Sequence, residues 1–219
     1  MTAMAPLLDL AFILVVVLDF FVLASSRMGA AIRAVALQGA LLGVLPLLLA
    51  PAGAPVGHYL VLAGGALAIK GLLIPWLMFR AIREASMRRE LAPIVGFVPS
   101  MVLGGIGVAL AFAFSSRLPI PAGEQGHPFL VPTALSTVWT GLLLVVSRKK
   151  AVNQVLGFLV LENGVFVFGL LLSEIMPVMV EAGVLLDLFA AVFVMGIVMF
   201  HINREFDSLD TEKLSALKD

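Results

Sequence analysis

Three ionisable residues stand where an apolar run would ordinarily carry none: Lys70, Glu162 and Asp187. Lys70 lies beside Ile69, the centre of the apolar stretch 58–79. Glu162 is the centre of 151–173, and Asp187 lies near Phe189, the centre of 177–201. A charge at the middle of a bilayer costs roughly 2.5–3.5 kcal/mol on insertion scales. Three such costs at one depth require a reason. Burial disfavours the charged form of an acid or base, whereas an opposite charge nearby favours it. A buried lysine close to a carboxylate is therefore tunable by small movements, which suits proton transfer. The other reading is a static pair that joins helices.

Further titratable groups flank these three. Glu181 lies one turn inside the outer end of 177–201, and Asp19 lies past the middle of 6–25, toward the cytoplasm. Each is a candidate point for a proton to enter or leave. Asp9 and Glu174 fall near the outer surface and read as solvated. His58 opens the third stretch at the interface. His201, at the cytoplasmic end of the last, is a candidate shuttle because imidazole titrates near about pH 6.5.

The elements that must position these residues are membrane helices. Of 219 residues, 61% are hydrophobic and 13% charged, where soluble domains carry roughly 25% charge. Seven segments approach or exceed the ~20 residues that a spanning helix needs: 6–25, 31–50, 58–79, 93–115, 128–147, 151–173 and 177–201. In lipid each segment must satisfy its own backbone, so helices follow. One set of ends holds Arg27, Arg33, Arg80, Arg83, Arg88, Arg89, Arg148, Lys149, Lys150, Arg204, Lys213 and Lys218; the other holds Arg117 alone. That bias puts the N-terminus outside and the C-terminus in the cytoplasm. The opposed ends require an odd number of spans. The expected fold is thus all-α, a polytopic membrane protein of seven transmembrane helices. The first apolar run has no basic leader region and carries Asp9 and Asp19, so it reads as a span rather than a signal peptide.

Other chemistry is excluded or unsupported. The chain has no cysteine, which removes disulfides, thiolate metal sites and iron–sulfur ligation. Three scattered histidines make no metal or haem site. A formal charge of zero gives no footprint for nucleic acid. No phosphate loop, Ser-His-Asp set or HExxH occurs, so no catalytic centre and no cofactor are expected.

Smaller signals refine the helices. Pro75 deprives the Gly71 carbonyl of its helical donor, predicting a kink just past Lys70 where water could enter. Gly104, Gly105 and Gly107 suit close helix packing. Asn163 follows Glu162 by about 100° of helix and is expected to face a different neighbour. Gln38, Ser136, Thr137, Thr140 and Gln154 fit interhelical hydrogen bonds, and a wire from Gln154 to Glu162 is the alternative.

The stretch TGLLLVVSRKKAVNQVLGFLVLENGVFVFGLLL, Thr140 to Leu172, resembles the K subunit of respiratory complex I and the C subunit of multisubunit sodium/proton antiporters. A helix, a short basic turn and a helix centred on an intramembrane glutamate make up that pattern, and Glu162 matches the glutamate. VEAGVLLDLFAAVFVMGIVMFHINRE fills the place of the family's next helix, with Asp187 at the depth of its second acid. This three-helix module covers 128–205; four helices in 1–127 precede it and a cytoplasmic tail, 206–219, follows. With LVLENGVFVFGL, VEAGVLLD and KGLLIPWLMFRAI, the single membrane domain 1–219 resembles hydrogenase-4 component E.

That resemblance implies a non-redox subunit in the inner (cytoplasmic) membrane, within a formate hydrogenlyase-type or other group 4 [NiFe]-hydrogenase complex. Its partners would be antiporter-like membrane subunits and the anchor of a hydrophilic hydrogenase-like arm. Its acids would join a chain of charges that couples redox chemistry to movement of protons or Na+. The alternatives are a subunit of a cation/proton antiporter or another complex I relative, a structural membrane adaptor, and a free-standing carrier. The carrier is disfavoured because no pair of inverted halves is visible.

Overall fold

A computed structural model describes residues 5–50, 56–84, 94–118, 127–148 and 151–171, with Gly196 beyond them. The described elements are all helical: α1 (Ala5–Ala24), α2 (Met28–Leu48), α3 (Val56–Ala66), a π-helical segment (Leu67–Leu73), α4 (Ile74–Glu84), α5 (Phe97–Ser115), α6 (Leu130–Ser147) and α7 (Ala151–Leu171). Because α3, the π segment and α4 run on without a break, the described residues contain six helices long and apolar enough to cross a membrane. The expected seventh span, with Asp187, Glu181 and His201, lies outside the described residues, as does the tail.

Local sequence accounts for the helix starts. Pro99 and Pro132 occupy the first turns of α5 and α6, where a missing N–H breaks no helical bond. The distortion expected beyond Lys70 occurs instead at Lys70 itself. Ile74 donates its N–H to the Ile69 carbonyl, five residues back, and Pro75 follows with no N–H to give. The one-residue slip thus ends at the proline, and π turns of this kind cluster at functional sites.

Packing divides the bundle into levels. One apolar layer gathers Leu8, Phe12 and Val15 of α1 with Leu42, Leu45, Leu130, Ala134, Phe166 and Leu170. Another gathers Leu18, Val22 and Leu23 with Ile32, Val35, Ile74, Met78, Leu144, Leu156 and Leu159. At the boundary of the two layers lies a polar level: Asp19, Gln38, Lys70, Thr137, Thr140, Glu162 and Asn163, all buried.

Small residues set the helix spacing, as expected where lipid supplies no hydrophobic drive. The tightest approach joins α6 to α7. A β-carbon on Gly164 would lie 2.6 Å from the Val138 nitrogen, one on Gly157 2.7 Å from that of Val145, and one on Gly141 would overlap the Leu161 backbone. In α5, Gly104 admits Leu23 and Gly107 admits the Trp139 indole, but Gly105 faces open space. The packing role expected of all three glycines therefore applies to two. Gly141→Ala is expected to destabilise the protein by about 1–3 kcal/mol, because backbone cannot move aside as a side chain does. Gly105→Ala is the control and should leave thermal unfolding in detergent unchanged or slightly raised.

Candidate functional site

The polar level is a connected chain of side chains. Thr137 Oγ1 donates to Asp19 Oδ2 at 2.7 Å. Gln38 Nε2 donates to Asp19 Oδ1 at 2.8 Å. Asn163 Nδ2 donates to Gln38 Oε1 at 3.1 Å. Lys70 Nζ donates to Asn163 Oδ1 at 3.3 Å and lies 3.9 Å from Glu162 Oε1. Residues from α1, α2, the π segment, α6 and α7 thus meet at one place. The side chains of Lys70 and Glu162 are only 4% and 2% exposed, so this ion pair is shielded from bulk solvent.

Each helix is shaped to present its group. Gly39 of α2 lies against Lys70, where a β-carbon would come 2.7 Å from the lysine's own. The absent side chain lets the π segment approach α2, and the lysine stem continues toward α7. There Glu162, Asn163 and Phe166 receive it. Phe166 stands four residues after Glu162 and three after Asn163, so the three share one face of α7. Its ring centroid lies 5.1 Å from Nζ, within cation–π range.

This geometry qualifies one expectation. Asn163 does reach a different neighbour, Gln38 of α2, through its NH2, but its oxygen shares Lys70 with Glu162. The 100° between them holds, but a lysine ammonium seats between two adjacent side chains. Gln154 is exposed and donates its Nε2 to the Arg148 carbonyl at 3.2 Å, at the start of α7. Ser136 donates to the Pro132 carbonyl of its own helix.

A cleft runs from the pair along α2, α4 and α7. Ile32, Val35, Ile74, Pro75, Met78, Leu156 and Leu159 are among its walls, and Lys70, Glu162 and Asn163 contribute its polar lining. The polar groups in it are able to bind water, while the walls are apolar.

Two features escaped the sequence. His127 Nε2 lies 3.3 Å from Asp9 Oδ1, with Phe12 and Phe129 around the ring, so Asp9 has a partner at that end of the bundle. The residues are 118 positions apart, and no pattern links them. Arg148, read only as an orienting charge, is fully buried. Its Nη2 donates to the Leu23 carbonyl at 3.1 Å, and its guanidinium lies over Phe97. It therefore caps the C-terminal end of α1, where carbonyls lack helical partners. Among the described residues no group of three or more His, Asp or Glu is placed to hold a metal.

Six apolar spans around a buried acid–base cluster define a multi-pass membrane protein with ionisable groups in its interior. No family model and no solved structure matches the chain. It is 36% identical over 194 residues to an uncharacterized protein of Mycobacterium tuberculosis, covering 87% of this chain and 86% of that one. It is 30% identical over 159 residues to hydrogenase-4 component E of Escherichia coli K12 and of Shigella flexneri, covering 73% of each chain. The chain belongs to the hydrogenase-4 component E family.

Proposed function

We propose that this protein is a non-redox membrane-arm subunit of a hydrogenase-4-type complex, and that its interior charges take part in translocating protons or Na+. The supporting observation is the Lys70–Glu162 pair, 3.9 Å apart, buried and held on separate helices. That separation is beyond direct hydrogen-bond reach, and an acid and a base so placed exchange a proton through one bridging water. Asp19 is the second acid of the described cluster. Asp187, Glu181 and His201 belong to the proposed route by their places in the sequence, and all three lie outside the described residues. The topology proposed with this role is seven spans in the inner membrane, with the N-terminus outside and the C-terminal tail in the cytoplasm.

A second reading also has an observation behind it. The bonds from Thr137 through Asp19, Gln38 and Asn163 to Lys70 satisfy one another, as a static adaptor would require. An antiporter or another complex I relative remains the alternative host.

Affinity purification of the tagged full chain from its native membrane tests the role as a subunit. Antiporter-like membrane subunits and the anchor of a [NiFe]-hydrogenase-like arm should be recovered with it. Recovery of the chain alone, active in proteoliposomes, would replace this reading by a free-standing carrier. In vesicles holding the complex, collapse of the transport signal by a protonophore identifies the proton, and collapse by a sodium ionophore identifies Na+.

A further inference from the structure

The geometry points to Gln38 and Asn163 as a polarised two-amide bridge that couples the charge states of Asp19 and Lys70 across α1, α2, α7 and the π segment.

The direction of the bridge is forced by elementary hydrogen bonding. An ammonium has three donors and no acceptor. Asn163 must therefore turn its oxygen to Lys70, at 3.3 Å. Its NH2 is left for the next partner, Gln38 Oε1 at 3.1 Å. Gln38 in turn has only its NH2 to offer Asp19, at 2.8 Å. The second oxygen of Asp19 accepts from Thr137. Each link thus donates away from the lysine and toward the aspartate. Positive and negative ends orient the two amides in one sense.

Burial makes that sense matter. Gln38 is 1% exposed and Asn163 3% exposed, so solvent does not replace a broken bond. A buried polar atom that loses its partner bears the whole desolvation cost of that group. If one end changes from donor to acceptor, or the reverse, turning the nearer amide alone sets oxygen against oxygen or NH2 against NH2 at the next link. The chain stays satisfied only if both amides turn and the far end changes its hydrogen-bonding sense as well. The pair is thus an element with two arrangements, biased from both ends, which is what physical coupling between sites requires. An amide conducts no proton in its stable tautomer, so these are positioning residues. Among the described residues, Lys70 answers to Glu162 beside it and to Asp19 through the bridge.

The bridge deepens the proposed role and rests on it for its use, but the coupling itself is measurable without transport. The experiment is NMR of the full chain, labelled on side-chain amide nitrogen, in lipid nanodiscs. Lys70→Met should shift the Gln38 amide resonance, the change passing through Asn163. In an Asn163→Leu background the same substitution should shift Gln38 by less than half as much. No shift in the parent, or an equal shift in both backgrounds, overturns the bridge, because only a through-space field would remain. Should Asn163→Leu fail to fold, the reverse direction decides. Asp19→Leu should move the Asn163 resonance, and Gln38→Met should suppress that effect; an unsuppressed shift overturns the bridge. Transport by Glu162 variants is unaffected by either result, so the bridge and the translocation role fail separately.

Discussion

Glu162→Gln is expected to slow translocation by the host complex on the order of 10²-fold, the lower end of what one proton-transferring group contributes, while assembly survives. Glutamine preserves the shape of Glu162 and removes both its charge and its titration. Its carbonyl oxygen can stand where Oε1 now lies, 3.9 Å from Lys70 Nζ. The ammonium also keeps Asn163 Oδ1 and the Phe166 ring. The lysine thus retains the Asn163 oxygen, the aromatic face and an oxygen at position 162. What it loses is a base able to take its proton. Ion uptake into sealed vesicles, normalised to complex recovered by affinity tag, separates the two effects. Undiminished uptake at normal recovery would reject the translocation role and leave the static adaptor standing. Low recovery with proportionate uptake would show that Glu162 serves assembly instead.

Hydropathy located the described spans to within a few residues, because in lipid the length and polarity of a segment decide its structure. The first runs 5–24 against an expected 6–25, the fifth 130–147 against 128–147, and the sixth 151–171 against 151–173. Depth placed Lys70 and Glu162 at one level for the same reason. Which polar residues would join them was not legible. The angle of Asn163 on its helix points it away from the pair, yet a long lysine stem spans that angle. Gln38 and Thr137 looked like isolated interhelical bonds, whereas both converge on Asp19. That convergence depends on how α1, α2 and α6 rotate against one another, a property of three helices that no single segment encodes. The glycines at 141, 157 and 164 were missed likewise, since close approach belongs to the helix pair. Pro75 did signal a break in regular helix, and only its position differed, because a π slip lies upstream of the residue that ends it.

Lys70→Met is expected to be the more damaging change to stability, by about 3–5 kcal/mol, the cost of breaking a buried pair from one side. Methionine keeps much of the length of the lysine stem and fits the space between Gly39 and Phe166, so little packing changes. It offers no donor, however. The positive charge 3.9 Å from Glu162 disappears, and Asn163 Oδ1 loses the bond it now accepts at 3.3 Å. This is where the two single substitutions differ: glutamine still accepts from the ammonium, whereas methionine gives nothing to the carboxylate. The consequence is checkable in a double variant. Lys70→Met with Glu162→Leu replaces both charges by apolar groups of similar length, a change that is often neutral or stabilising in buried pairs. Thermal unfolding in detergent should therefore rank the double variant above Lys70→Met alone, and near the parent, while transport is lost in both. A Lys70→Met protein as stable as the parent would mean that the two side chains are not an ion pair. A double variant that recovers stability but not transport would show that the charges are kept for what they do and not for holding the helices together.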